Sequence, residues 1–344
     1  MNKSDLGDQA FVRKKDYEGN PYQGSLTKGI SYDDYESQTS TLVQEGSSQI
    51  FLPVYRRSAR KLVNLLQASN GQKVLDVGSG TGISTLEIFL QSPEISVLSI
   101  EISEGMMDIA RFKFNQLDNL GRMEGITNKR LLKYWGQFRA ESKPYRNDVE
   151  FILGDIEVID EIDNESIDVA VGNQSLHWTD LSKSFGQLNR LLKRKGRVIF
   201  NSASDFCEDE NFPSLKYCFL YNEFIRHVTS EVGKTVKLTS DYRSLSRPKH
   251  NINSFKEIAY NAGFELKQIN TDLIPVDLQT IILNHMLPIV RQLCDEKELE
   301  SRQDIKEITE KAIAKTVNNP KAMNDLRHKY GINPIFEMTK KNTR

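Results

Sequence analysis

The stretch V-L-D-V-G-S-G-T-G-I, Val74 to Ile83, constrains the fold of this chain more than any other part of it. An apolar run of strand length passes directly into three glycines, Gly78, Gly80 and Gly82, and a helical apolar pattern follows at once. A strand that turns into a helix through glycines lets its backbone approach a ligand that side chains would exclude. The same alternation continues downstream. Lys73 to Val77 reads as a first strand, Ile83 to Leu90 as a helix and Ser96 to Glu101 as a second strand. Ser103 reads as the N-cap of a helix carrying Met106, Met107, Ile109, Ala110 and Phe112. Val149 to Leu153 and Ile167 to Val171 supply a third and a fourth strand. Leu181, Phe185, Leu188, Leu191 and Leu192 recur at helical spacing, Gly196 stands where a C-terminal cap belongs, and Arg197 to Asn201 is a fifth strand. This rhythm predicts an α/β fold with a parallel, doubly wound sheet.

Upstream, the apolar spacing from Ile50 to Leu66 predicts an amphipathic helix. Three stretches interrupt the rhythm: Gly121 to Asp148, Asp205 to His250 and Leu278 to His328. The last two are mostly helical in pattern, and all three are expected to pack as insertions above the carboxyl ends of the strands. Strand patterns resume at Phe264 to Ile274 and Pro334 to Met338. The expected organisation is a flexible segment or lid over 1–48, a cofactor-binding core over 49–204 and a helical cap insertion over 205–250. The core returns at 251–277, a second helical cap follows at 278–328, and 329–344 forms a closing strand and tail.

Composition removes several classes of function. Against 46 Lys and Arg stand 47 Asp and Glu, a net charge of -1, so no general attraction to nucleic acid or anionic membrane exists. Three scattered cysteines fit a reducing cytoplasm and no disulfide framework. No window approaches the ~20 apolar residues of a membrane span, and Met1 to Gly19 lacks the apolar stretch of a signal peptide. His227, His250, His285 and His328 show no ligand spacing, so no metal is expected. Glu296 to Lys315, and Lys129, Arg130 and Lys133, read as solvated faces.

The chemistry gathers at the strand ends. The glycines run G-x-G-x-G, with Ile83 where a dinucleotide fingerprint has its last glycine. Asp76, two residues before the first glycine, would repel a pyrophosphate and suits the ammonium of a cationic, amino-acid-bearing cofactor. Glu101, at the end of the second strand, is placed to accept from both hydroxyls of a ribose. Gly154-Asp155-Ile156 ends the third strand, so that Asp155 can accept from an adenine amino group while Ile156 covers the ring. Together these disfavour a nicotinamide dinucleotide.

D-V-G-S-G-T-G at Asp76 to Gly82, S-I-E at Ser99 to Glu101 and G-D-I at Gly154 to Ile156 resemble the cofactor motifs of class I S-adenosylmethionine-dependent methyltransferases. I-D-V-A-V-G-N-Q-S-L-H-W, Ile167 to Trp178, resembles that family's fourth strand and the turn after it. The wording is most similar to the small-molecule branch that includes the trans-aconitate and malonyl-acyl-carrier-protein carboxyl methyltransferases. The resemblance implies a Rossmann-like, mostly parallel seven-stranded sheet closed by an antiparallel pair, and S-adenosylmethionine as cofactor. It implies that Asp76, Gly78, Ser79 and Gly80 hold the methionine part, with Glu101 on the ribose. Ile102 would lie against the adenine, with Asp155 and Ile156 at its other edge; Met106 is a further cofactor-contact candidate, although its helical spacing with Met107 favours a place in the core. Asn173 would offer its backbone carbonyl to the ammonium. His177 and Trp178 would face the transferable methyl, with Tyr32 and Tyr35 completing the substrate pocket. His177 is the catalytic candidate, either as a general base for an O–H or N–H acceptor or as a wall of the pocket. The expected partner is a small molecule, free or on a carrier protein, with no nucleic acid and no membrane. Two other readings stay open. One is a macromolecular acceptor, although Asn173-Gln174-Ser175-Leu176 departs from the Asn/Asp-Pro-Pro-aromatic motif of base-amino methylation. The other is a methyltransferase-like cyclase or cofactor-binding regulator.

Overall fold

The computed structural model describes residues 54–120, 126–202, 252–275 and 330–341, with single positions elsewhere that include Ile30, Asp33, Asp34, Glu36 and Ser37. The chain divides into one unit of residues 22–208, 251–272 and 333–344, and another of 1–21, 209–250 and 273–332. The fold of the first unit follows.

Among the described residues, seven strands form one sheet: β1 (Lys73–Val77), β2 (Ser96–Glu101), β3 (Val149–Leu153), β4 (Ile167–Gly172), β5 (Leu192–Asn201), β6 (Phe264–Pro275) and β7 (Tyr330–Lys340). Their order is β3-β2-β1-β4-β5-β7-β6. Strands β1 to β5 pair in parallel, and β7 lies antiparallel to β5. This is the doubly wound α/β sheet expected from the sequence, with its closing antiparallel strand. The order reverses between β1 and β4, which opens a crevice at the carboxyl ends of the central strands.

Alternate residues of the central strands enter two separate cores, as a sheet covered on both faces requires. Val74, Val97, Val169 and Val171 face one core, joined by α1 (Val54–Leu66), α2 (Ile83–Gln91), α3 (Glu104–Lys113) and α4 (Lys129–Ser142). Leu75, Leu98, Ile100 and Ala170 face the other, covered by α5 (Leu181–Leu191) and α6 (Ile252–Asn261). There Phe185, Phe200, Phe255 and Phe336 form a ring cluster, with Phe200 and Phe336 stacked at 5.4 Å. Caps fix the helix starts. Ser103 Oγ accepts from Met106 N, Asn128 accepts from Arg130 and Leu131 N, and Asp180 accepts from Ser182 and Lys183 N.

Two expectations need correction. Within the stretch 121–148, the described residues 126–148 are not an insertion above the strand ends, because α4 packs into the first core. Leu131, Tyr134, Trp135 and Phe138 stand at helical spacing and are all buried, while Lys129, Arg130 and Lys133 face solvent as expected. Gly196 is not a helix cap either. The cap position of α5 is Leu192, already extended, and the left-handed residue is Lys195 with φ 63°. Gly196 sits in a bulge where β4 pairing jumps from Leu192 to Arg197. A Cβ there would stand 2.9 Å from both Leu192 Cβ and the Lys193 carbonyl, so close approach is what the glycine serves.

The helix expected from Ile50 is described from Val54. The cap expectations over 205–250 and 278–328 lie outside the described residues except for isolated positions, and the segment 1–48 is described only at the five positions named above. Among the described residues no helix is long and apolar enough to cross a membrane.

Candidate active site

The carboxyl ends of β1, β2, β3 and β4 carry the motif residues. Asp76 closes β1 with a fully buried side chain, and its Oδ2 accepts from the hydroxyls of Ser84 and Thr85 at 2.7 Å each. Its Oδ1 is buried without a hydrogen-bond partner. Burial pushes the carboxyl up to about 6 against the pull of those two hydroxyls. The chain then turns through Gly78, Gly80 and Gly82 at φ 65°, 55° and 84°, a left-handed run that only glycines adopt without strain. Gly82 occupies the cap position of α2 and offers no side chain to its first amides. The positive end of that helix therefore faces the turn. Ser79 Oγ, in the same turn, is buried and unpartnered.

Glu101 ends β2 and locks onto the turn. Its Oε2 accepts from Gly80 N and its Oε1 from Ser103 N, each at 2.8 Å. Burial raises this carboxyl above its ordinary range, opposed by those backbone donors. Each carboxylate oxygen has a second acceptor site, which leaves capacity for hydroxyls. Beside it Ile102 is 40% exposed, whereas Met106 is buried, with its sulfur 3.9 Å from the point where a Gly80 side chain would begin. The end of β3 is tied to the same place, since Gly154 N donates to the Glu101 carbonyl at 3.0 Å. Asp155 accepts from Glu157 N at 2.9 Å in a local turn. Ile156 is buried in the second core with Ile159 and Ile162, so its side chain underpins this edge from below.

At the end of β4, Asn173 Oδ1 accepts from Asn201 Nδ2 at 2.9 Å. Ser175 packs against Gly78, and Leu176 to Trp178 form a short 3-10 turn carrying a half-buried His177. Of Trp178 only the backbone is described, and Tyr32 and Tyr35 lie outside the described residues. The structure thus brings together Asp76, Gly78, Ser79, Gly80, Glu101, Ile102 and Met106. It ties Asp155 and Asn173 to their rim by backbone and amide contacts.

Two polar groups beside this site carry no motif and were missed in the sequence. Asn201 Oδ1 accepts from Gln174 N at 2.6 Å while its Nδ2 donates to Ser58 Oγ at 2.9 Å, which pins the β4 turn where Gln174 adopts φ 57°. The second is a buried ion pair between Lys113 and Asp33, 3.1 Å apart, both side chains at 0% exposure. Its signal was present: Met106, Ala110 and Lys113 share one helical face, so an ammonium stands where a core residue belongs.

Comparison with known proteins agrees with this geometry. A family model described as a methyltransferase domain matches residues 75–200. A second, for protein-L-isoaspartate(D-aspartate) O-methyltransferase, matches residues 10–128. The chain is 27% identical over 157 residues to a malonyl-[acyl-carrier protein] O-methyltransferase of Nitrosospira multiformis, covering 45% of each chain. It is 23% identical over 252 residues to the protein of the same name from Acetivibrio thermocellus, covering 65% of this chain and 77% of that one. It is 27% identical over 149 residues to the ubiquinone/menaquinone biosynthesis C-methyltransferase UbiE of Geobacter sulfurreducens, covering 42% of this chain and 47% of that one. The matched stretch spans about half the length of the Nitrosospira and Geobacter proteins. Residues 75–200 thus match a methyltransferase domain, and the relatives aligned with the chain are named methyltransferases.

Proposed function

We propose that this chain transfers the methyl group of S-adenosylmethionine to an oxygen, a carboxylate or a hydroxyl, of a small-molecule acceptor. The observation that carries the reading is the buried, unpartnered Oδ1 of Asp76 at the head of the glycine turn. An unsatisfied buried carboxylate oxygen is costly until a donor reaches it, and a cationic donor satisfies it best. The ammonium of the cofactor's methionine part is such a donor, and Glu101, with its spare acceptor sites, suits the ribose. The residues present therefore fit the cofactor.

When bound, the cofactor supplies an electrophilic methyl on a positively charged sulfur. The chain's own residues bind and orient. Asp76 and the Asn173 carbonyl would hold the ammonium, Glu101 the ribose, and Asp155 the adenine amino group, while Ile102 and Met106 exclude water from that side. A carboxylate acceptor arrives already ionised and asks only for alignment. In that case His177 shapes the pocket. A hydroxyl acceptor asks His177 to take its proton. An oxygen acceptor, free or tethered to a carrier protein, is supported by the names of the malonyl-carrier relatives.

The test incubates the protein with methyl-labelled cofactor and a panel of carboxylates, free and carrier-bound, and hydroxyl compounds. Label that alkali releases as methanol identifies an ester, and label that resists alkali an ether. A protein that binds the cofactor yet labels no oxygen on the panel would overturn the acceptor assignment. Failure to bind the cofactor would overturn the reading of the site.

A further inference from the structure

We propose that Asp33 is a positioning residue for the glycine turn and acts through Thr81. The cofactor consequence of this rests on the S-adenosylmethionine reading above; the structural consequence does not. Asp33 belongs to a helical segment whose described positions, Ile30, Asp33, Asp34, Glu36 and Ser37, fall on one broad face. Its carboxylate is fully buried and gathers donors from three elements. Thr81 Oγ1, within the glycine turn, donates to Oδ1 at 2.7 Å. Lys113 Nζ, at the end of α3, donates to Oδ1 at 3.2 Å and to Oδ2 at 3.1 Å. Trp135 Nε1, on α4, donates to Oδ2 at 2.7 Å. Lys113 also donates to Thr81 Oγ1 at 3.2 Å, which closes a triangle of carboxylate, ammonium and hydroxyl.

A buried ion pair is a poor way to gain stability alone, since desolvation of both charges offsets most of their attraction. What it supplies is direction. Three converging donors fix one carboxylate to within a hydrogen-bond length, which an apolar contact cannot do. The ammonium is held for that purpose, over the Phe138 ring at 4.1 Å and at the negative end of α3. Burial lowers the Lys113 pKa, and the Asp33 charge pulls it back. Thr81 sits between Gly80 and Gly82, and a turn of glycines has little of its own to resist bending. Glu101 grips the turn at Gly80 N from the β2 side. Asp33 grips it at Thr81 from the opposite segment, which is seated in turn by Glu36 Oε1 accepting from Tyr55 N at 2.7 Å. The amides that would face a ligand are thus clamped at two adjacent residues by two carboxylates.

The decisive variant is Thr81→Val, which matches threonine in shape, leaves the Asp33–Lys113 pair and the Trp135 bond in place, and removes both bonds of the Thr81 hydroxyl, the one to Asp33 and the one from Lys113. Hydrogen exchange is followed without ligand. Amides of residues 79–82 are expected to exchange at least about tenfold faster than in the parent, the least that losing the hydroxyl's charge-assisted bonds should cost. Amides of α5, on the other face of the sheet, should not change. Thr81→Ser, which restores the hydroxyl, should restore the parent rates. Calorimetry with the demethylated cofactor product should show a matching loss of affinity in Thr81→Val and its recovery in Thr81→Ser. Unchanged turn exchange in Thr81→Val, or no recovery in Thr81→Ser, overturns the proposal. Absence of product binding by the parent protein overturns the cofactor reading instead, while the exchange arm still decides the role of Asp33.

Discussion

Gly78→Ala tests how closely the turn is built. A Cβ at position 78 would lie 2.4 Å from Ser175 Cβ and 3.2 Å from its Oγ. Ser175 has no free direction of retreat, because its hydroxyl donates to the Val77 carbonyl and its backbone begins the turn that carries His177. Two costs add. The left-handed φ of 65° costs an alanine about 1–2 kcal/mol, and overpacking against Ser175 costs about 1–3 kcal/mol more. The expected loss of folding stability is therefore roughly 2–5 kcal/mol, read by urea denaturation with the denaturant slope unchanged. Gly80→Ala is the control, since its Cβ would meet only Met106 Sδ at an ordinary 3.9 Å. That variant should lose only the backbone portion, about 1–2 kcal/mol. Adding Ser175→Gly to Gly78→Ala should return the packing portion and leave the φ cost. If Gly78→Ala and Gly80→Ala prove equally destabilised, or the double variant recovers nothing, Ser175 is not what the turn packs against.

Asp76, held at about 6, must be ionised to receive an ammonium, so cofactor affinity should fall as pH drops through about 6, by up to tenfold per unit. Calorimetry should show that dependence abolished in Asp76→Asn, with affinity at pH 8 lower by about 2 kcal/mol; a profile identical to the parent's would place the ammonium elsewhere. Glu36 is pushed up to about 8 by burial, opposed by Tyr55 N, and Asp33, Lys113 and Arg56 surround it. Its folded pKa lies above the unfolded value of 4.5, so the stability it contributes is full below about 4.5 and is lost as pH rises toward 8. Glu36→Gln, which keeps an acceptor for Tyr55 N, should gain on the parent by on the order of 3 kcal/mol between pH 5 and pH 8. A pH-independent difference in denaturation midpoints would refute that account.

The parts of this molecule that were legible in the sequence are those governed by local periodicity. Strands β1, β2 and β4 read directly because residues on both of their faces enter a core, so Val74 to Val77 and Ile167 to Val171 are apolar except for one aspartate each, Asp76 and Asp168. The turn at Gly78 to Gly82 read directly because its conformation demands a residue type. The ends of α5 and β5 did not. A glycine after a helical pattern suggests a cap, yet Gly196 answers to crowding by Leu192 inside a bulge, a tertiary cause. Residues 126–148 were misplaced because length alone suggested an insertion, although the spacing Leu131, Tyr134, Trp135, Phe138 already described a core-facing helix. Within the site, Asp76 and Glu101 were visible from their register at strand ends. Asp33, Thr81 and Lys113 were not, because a pairing between residues far apart in the chain leaves no period. Only the misfit of a lysine on the apolar face of α3 pointed to it.

Strand β7 carries a consequence for how the chain comes into being. The outer edge of β5 bonds to residues 335–339, and Phe200 rests on Phe336, so neither has its neighbour until the ribosome has delivered most of the polypeptide. At ordinary elongation rates that interval lasts roughly ten to thirty seconds. Throughout it, a strand with Val198 and Phe200 on one side and Ile199 on the other offers unpaired amides to any passing strand. The long excursion between β5 and β7 leaves the described sheet unfinished while the residues between them are made. A holdase bound to that edge during translation would govern its yield as much as the stability of the finished fold.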